Sequence, residues 1–224
     1  MRAAIISTPS GLAALLACWL ALPAAAQDVD LLVRHSTVAA SADGIKRSTE
    51  YAERMVRRDG QVWVERVVPQ GWHSADVHAQ ADKAHKHLDV AVAARWITHD
   101  DAGKLRVRLA SKEDKVLVDV DKTDFANIDF DGSWLAAYHL IDPAALKAMK
   151  LAGTKGDLTT YLSADKARQV KVVWNDRLKI PVLVESVSGA SSKKTFVEIK
   201  TPGKALPWLA TQQYTRKDYS DYLD

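Results

Sequence analysis

Along most of the chain, apolar and polar residues alternate one by one, the period of a strand with one buried and one wet face. Arg47–Arg58 (RSTEYAERMVRR) and Gln61–Val68 (QVWVERVV) flank Asp59-Gly60, a dipeptide suited to the positive φ values of a two-residue hairpin turn. That turn fixes the register, placing Arg54 opposite Glu65, Glu53 opposite Arg66, Met55 opposite Val64 and Val56 opposite Trp63. Charges of opposite sign meet, and apolar residues meet apolar ones, as cross-strand energetics favour. Further strands are predicted at Leu88–Thr98, Lys104–Ala110, Lys115–Val120, Leu158–Ser163, Gln169–Trp174, Leu178–Val187 and Thr195–Lys200. Leu105, Val107 and Leu109 alternate with Arg106 and Arg108 in the clearest of these. Pro181 has no N–H to give to a ladder, so its strand must lie at an edge or carry a bulge there.

Three stretches leave this period. Trp72–His87 (WHSADVHAQADKAHKH) is polar and His-rich, and a helix there would put Val77, Ala81, Ala84 and Leu88 along one side. Asp142-Pro143 reads as the N-cap and first residue of a helix through PAALKAMK, with Gly153 as its stop. From Thr201 onward, Pro202, Gly203 and Pro207 predict irregular structure, and the Tyr-rich end (YTRKDYSDYLD) is expected to pack back onto the body. No repeat, linker or charge block divides the chain. The pattern is that of an α+β fold with a mostly antiparallel sheet.

The start of the chain has its own logic. Arg2 is followed by an apolar run, GLAALLACWLAL, then by Pro23 and three alanines before Gln27. A charged start, an apolar core and a small-residue cleavage site describe a secretory signal, cut between Ala26 and Gln27. The run is shorter than the roughly 20 residues a spanning helix needs. Leu15-Leu16-Ala17-Cys18 offers a second reading, a lipobox with Cys18 as the lipidated first residue. The expected location is the bacterial periplasm, with membrane contact only transient unless Cys18 is lipidated.

Cys18 is the only cysteine of the 224 residues, so a chain beginning at Gln27 has no disulfide and depends on its core. Loss of Arg2 takes the formal charge from +3 to +2, too little to argue for nucleic acid. The signal peptide (1–26) leaves 27–224, enough for one domain with a real core.

The order of elements, a meander of strands with a helix inserted after the first six or so, resembles the half-barrel of the periplasmic lipoprotein carriers and receptors. That is the LolA/LolB-like group, whose fold the sigma-factor regulator RseB shares. Ala94-Arg95-Trp96-Ile97 is similar to those carriers' aromatic-Arg-Trp strand. Val172-Val173-Trp174, a turn, and Leu178-Lys179-Ile180-Pro181-Val182 resemble their strand, turn and Leu-Pro strand. Glu185 to Ile199, with Gly189 in the turn, resembles their closing hairpin. The Arg-Pro that precedes the aromatic-Arg-Trp in typical carriers is replaced here by Ala91–Ala94, and the His-rich segment has no counterpart. The resemblance implies a strongly curved, unclosed half-barrel covered by one or two helices. Residues 27–224 would form that single domain, with a His-rich insertion around 72–87 and an irregular tail.

A curved sheet covered by a helix leaves an apolar concavity suited to an acyl chain or another greasy ligand. Trp63, Trp96, Trp134 and Trp174 are the aromatics expected to line it; the alternative is that they fill the core. In a helical reading of the His-rich segment, His78, Asp82 and His85 share one face with His87 near its end. Imidazoles and a carboxylate so placed suit zinc or copper, although Lys83 and Lys86 oppose a cation. No cofactor is otherwise expected. His35, His99 and His139 read as structural.

No catalytic arrangement stands out. The sequence after Ala26 has no cysteine nucleophile, and the chain has no Gly-x-Ser-x-Gly elbow, His-Glu-x-x-His or phosphate loop. Asp129 and Asp131 read as turn formers. The expectation is a non-enzymatic carrier or binding protein for a hydrophobic small molecule or lipidated protein. Alternatives are a regulatory module of the RseB type that recognises a cell-envelope partner protein, and metal binding through the His-rich segment.

Overall fold

The computed structural model describes residues 27–41, 43–68 and 88–222. Its first six strands form an antiparallel meander: β1 (Val29–Ala40), β2 (Lys46–Arg58), β3 (Gln61–Arg66), β4 (Ala94–His99), β5 (Leu105–Ser111) and β6 (Val116–Val120). A short helix, α1 (Trp134–His139), follows and leads to a second meander. This comprises β7 (Lys150–Lys155), β8 (Leu158–Leu162), β9 (Gln169–Asn175), β10 (Ile180–Ser188) and β11 (Ser191–Lys200). β11 pairs antiparallel with β1 and joins the halves, and β12 (Thr215–Asp218) adds a parallel strand beside β6. The result is one twelve-stranded sheet in the order β12-β6-β5-β4-β3-β2-β1-β11-β10-β9-β8-β7. It is curved and unclosed, an α+β half-barrel with few short helices.

The β2–β3 hairpin has the register its turn dictates: Arg54 faces Glu65, Glu53 faces Arg66, Met55 faces Val64 and Val56 faces Trp63. Asp59 and Gly60 take φ values of 50° and 67°, the left-handed pair of a type I′ turn, whose twist matches that of the strands. The Arg54–Glu65 pair closes to 3.4 Å. At Pro181 the β9–β10 register shifts before Leu183, the bulge that its missing donor requires.

Strand alternation sorts the side chains into two apolar layers. On the concave face, Val29, Leu31, Val33, Met55, Val62, Ile97, Val107, Leu109 and Val118 form the main core. On the convex face, Val56, Trp63, Ala94, Ala110 and Leu117 are buried beneath the chain after β11. That chain is pinned by Asp30, which accepts from Gly203 N at 2.9 Å and pairs with buried Arg58, itself bonded to the Gly203 carbonyl. Trp208, 5% exposed, then seals the layer.

Five elements depart from the expected pattern. The helix forms at Trp134–His139, capped by Ser133, whose Oγ accepts from Ala136 N. Pro143–Ala148, expected to be α-helical, winds as a 3₁₀ helix capped by Asp142. Met149 N closes it onto Leu146 O and β7 begins at once, so a second α-turn has no room. β7 and β12 lack an apolar face: every β7 residue is exposed, and no alternation marked either strand in advance. The strand expected from Leu88 begins only at Ala94, after a turn in which Ala93 N bonds to Asp89 O. Among the described residues no helix is long and apolar enough to cross a membrane.

Candidate ligand-binding concavity

Register assigns each residue to a row across the concave face. Val33, Leu31 and Val29 of β1 lie beside Val197 and Ile199 of β11 and beside Glu53, Met55 and Arg57 of β2. Toward β6, Val62, Ile97, Val107 and Val120 continue the floor. Above it lie α1 and the 3₁₀ helix Lys122–Ile128, which contribute Trp134, Ala137, Tyr138, Phe125 and Ile128. The 3₁₀ helix Pro143–Ala148 covers the other flank, packing Leu146 on Val172 and Trp174.

The cover is seated lightly at its centre. α1 is six residues long and none of them is fully buried; Trp134, Ala137 and Tyr138 rest on the core with part of each side chain still exposed. Its boundaries are left-handed: Gly132 has φ 79° before it, and Leu140 has φ 67° directly after it. A leucine there carries a backbone cost of about 1–2 kcal/mol.

What fixes this cover is Arg57. The side chain is 0% exposed, in a row with Met55. Its described hydrogen bonds all run to carbonyl oxygens: Nη1 to Tyr138 at 2.9 Å, and Nη2 to Gln27 and to Leu178, both at 2.7 Å. Burial pushes the guanidinium pKa down, against the pull of Tyr138 and Asp28. Arg57 thus ties α1, the segment before β1 and the β9–β10 turn to one point. A second bond joins two of these parts, α1 and the β9–β10 turn, from His139 Nδ1 to the Lys179 carbonyl at 2.7 Å, and burial lowers the His139 pKa. Arg95 acts alike on the neighbouring cover, donating to Ile128 O at 2.6 Å, and burial lowers its pKa too.

Farther along β1 the concave face becomes polar. His35 lies between Thr195 Oγ1 (3.2 Å, from Nδ1) and Glu53 Oε2 (3.2 Å, from Nε2) and stacks on Tyr51 at 4.6 Å. The Arg66 guanidinium lies 3.7 Å over the Tyr51 ring. Burial raises the Tyr51 pKa, with Glu53 adding to the effect and Arg66 opposing it. A hydroxyl, an imidazole and a carboxylate thus meet on the open sheet face, each on its own strand. Beyond them Thr37, Thr49, Lys193 and Ser186 share a row, and a shallow cleft of about 350 Å³ opens there. The concavity is therefore graded along its strands from apolar to polar.

The four tryptophans do not gather at one site. Trp63 and Trp96 are directly opposite each other across β3 and β4, on the convex face. Trp96 stacks near Trp208 at 6.4 Å, and Arg108 lies 3.4 Å over its ring. Burial, with Arg106 beside it, pushes the Arg108 pKa down to about 10. Trp134 and Trp174 belong to the concave side, in separate clusters. Trp134 packs edge-on to His99 at 4.3 Å, and Trp174 lies 6.3 Å from His139. Gln27 is held through its carbonyl by Arg57 and through its side chain by Arg177 at 2.8 Å. Ala26, Cys18, His78, Asp82, His85 and His87 lie outside the described residues. Among those described, no three His, Cys, Asp or Glu are grouped to hold a metal. The sequence did not mark Arg57 or Glu53 as site residues, and His35 read as structural; the parity of Arg57 with Met55 was the available signal.

No family model matches the chain, and no curated protein matches it in sequence. Among solved structures it is similar to the crystal structure of a LolA superfamily protein from Nitrosomonas europaea, at 9% identity and a TM-score of 0.32, covering 79% of this chain and 88% of that one. The likeness is distant.

Proposed function

We propose that the protein is a periplasmic, non-enzymatic carrier or binding protein that takes a hydrophobic ligand into the concavity beneath α1. The observation that carries this reading is the unequal seating of floor and cover. The floor is tightly packed and mainly apolar, with Met55 and Val62 at 0% exposure and Arg57 and Arg95 set among them, whereas the helix over it buries no residue fully. A cover held by directional bonds from Arg57 and His139 lifts when those bonds yield, and an acyl chain can replace its apolar contacts. Trp134 and Tyr138 on α1 would then flank the ligand, with Trp174 beside them. The grading of the concavity suits a molecule with one greasy and one polar end.

Native mass spectrometry of protein purified gently from the cell envelope tests this, together with titration by an apolar fluorescent probe such as N-phenyl-1-naphthylamine. A co-purifying lipid-sized mass lost on denaturation, or saturable probe binding, is the expected result. A bare polypeptide that leaves probe fluorescence unchanged would overturn the reading.

A further inference from the structure

The outer lip of the concavity is cationic and rich in hydroxyls. Thr37, Lys193 and Ser186 lie in one row, and Ser188 pairs with Ser191 in the next. Arg168 reaches the same cleft, its Nε donating to Ser186 Oγ at 3.3 Å. Ser191 Oγ accepts from Ala40 N at 3.0 Å, which leaves its own proton free to donate. Arg47, opposite Ala39 of the cleft wall, adds a third cation to this face.

Alternation along β9–β11 separates paired lysines from unpaired ones. Lys171 and Lys194 face the other side of the sheet, where Glu185 takes both, at 3.7 and 3.0 Å. The Lys193 ammonium has no ion-pair or hydrogen-bond partner among the described residues. The carboxylates of the adjoining turns are engaged locally: Asp43 accepts from Ser41 and from Ile45 N, and Asp165 from Ala167 N. Glu53, the concave-face carboxylate of β2, is four residues along that strand from Thr49. At about 3.3 Å per residue that is roughly 13 Å, beyond the screening length of physiological salt.

We infer that this lip binds a phosphate-type anion, carried as the headgroup of the amphiphile whose apolar part occupies the concavity. The inference rests on the carrier reading for the apolar part alone. Hydroxyls and guanidinium and ammonium donors converging without a carboxylate suit a multiply accepting oxyanion.

Calorimetric titration of the full-length mature protein with dodecyl phosphate, dodecyl maltoside (both below micelle formation) and inorganic phosphate separates the possibilities. Dodecyl phosphate is expected to bind about tenfold tighter than the maltoside, a difference of about 1.4 kcal/mol. The Arg168→Ser, Lys193→Ser double variant, both positions being exposed, should erase that preference while keeping the affinity for the maltoside. Inorganic phosphate that competes with dodecyl phosphate alone supports the headgroup site. Inorganic phosphate bound with neither amphiphile bound would support the anion site as one for free phosphate and overturn the carrier reading. Equal binding of both amphiphiles, unchanged in the double variant, would overturn the lip inference and leave the carrier. Binding of none of the three would overturn both.

Discussion

Arg57 donates to the Tyr138 carbonyl at 2.9 Å while its guanidinium carbon lies 4.7 Å over the ring of the same residue. One side chain thus grips the helical cover by its backbone and its aromatic face together, from a strand on the floor. An arginine suits the position because its planar fork reaches several carbonyls at fixed angles, which a lysine cannot do.

Arg57→Met keeps much of the apolar stem and removes the donors, leaving the carbonyls of Tyr138, Gln27 and Leu178 without this partner. A loss of about 2–4 kcal/mol in urea unfolding is expected, since groups that depended on a buried charge lose it. Trp134 emission should shift to the red in the folded baseline, and the apolar probe should enter faster than in the parent protein.

Acid should loosen the same junction. Burial lowers the His139 pKa from 6.5, so the fold prefers the neutral ring and the unfolded chain binds the extra proton more readily. The stability it contributes is complete above pH 6.5 and declines as pH falls toward the lowered folded value. Thermal midpoints from pH 8 to pH 5 should fall for the parent and fall less for His139→Gln. Equal slopes would remove His139 from the account.

The two faces of the sheet should answer differently to tryptophan loss. Trp208→Ala opens the convex layer over Val56, Ala110 and Leu117 and should cost about 3–5 kcal/mol with probe affinity unchanged. Trp134→Ala, on the lightly seated helix, should cost less stability and change probe affinity severalfold. Denaturation and probe titration of both variants make the comparison.

Gly60 has φ 67° in the β2–β3 turn, so Gly60→Ala should destabilise by about 1–2 kcal/mol through backbone strain alone. No atom lies within 4 Å of where its Cβ would stand, so a larger loss in chemical denaturation would point to a different turn.

The hairpin was legible because its register is set by two adjacent residues and checked by every pair across it. The face toward which Trp63 and Trp96 point was not. Met55 with Val64 and Val56 with Trp63 are both apolar pairs, so alternation there allows either face to be inward. The tie is broken by the chain from Thr201 to Trp208, which covers the convex side from far along the sequence. α1 was missed for a related reason: six residues give less than two turns, too short for periodicity to rise above its surroundings. Arg57 was hidden among Arg54, Arg58 and Arg66, and only the carbonyls brought to it by three distant segments distinguish it.

A sheet that does not close has two rims, here β12 and β7, and β7 leaves one side of its backbone ladder unpaired. Such a rim is a template on which a second molecule can add its own strand. Lys150 and Lys155 stand at the two ends of β7, and its pairing with β8 shifts register between Leu151 and Gly153. Like charges would meet across any such junction, and the irregular rim offers no straight run of donors and acceptors to copy. At that rim the openness that gives the molecule its hollow is thereby kept from turning into a route to polymerisation.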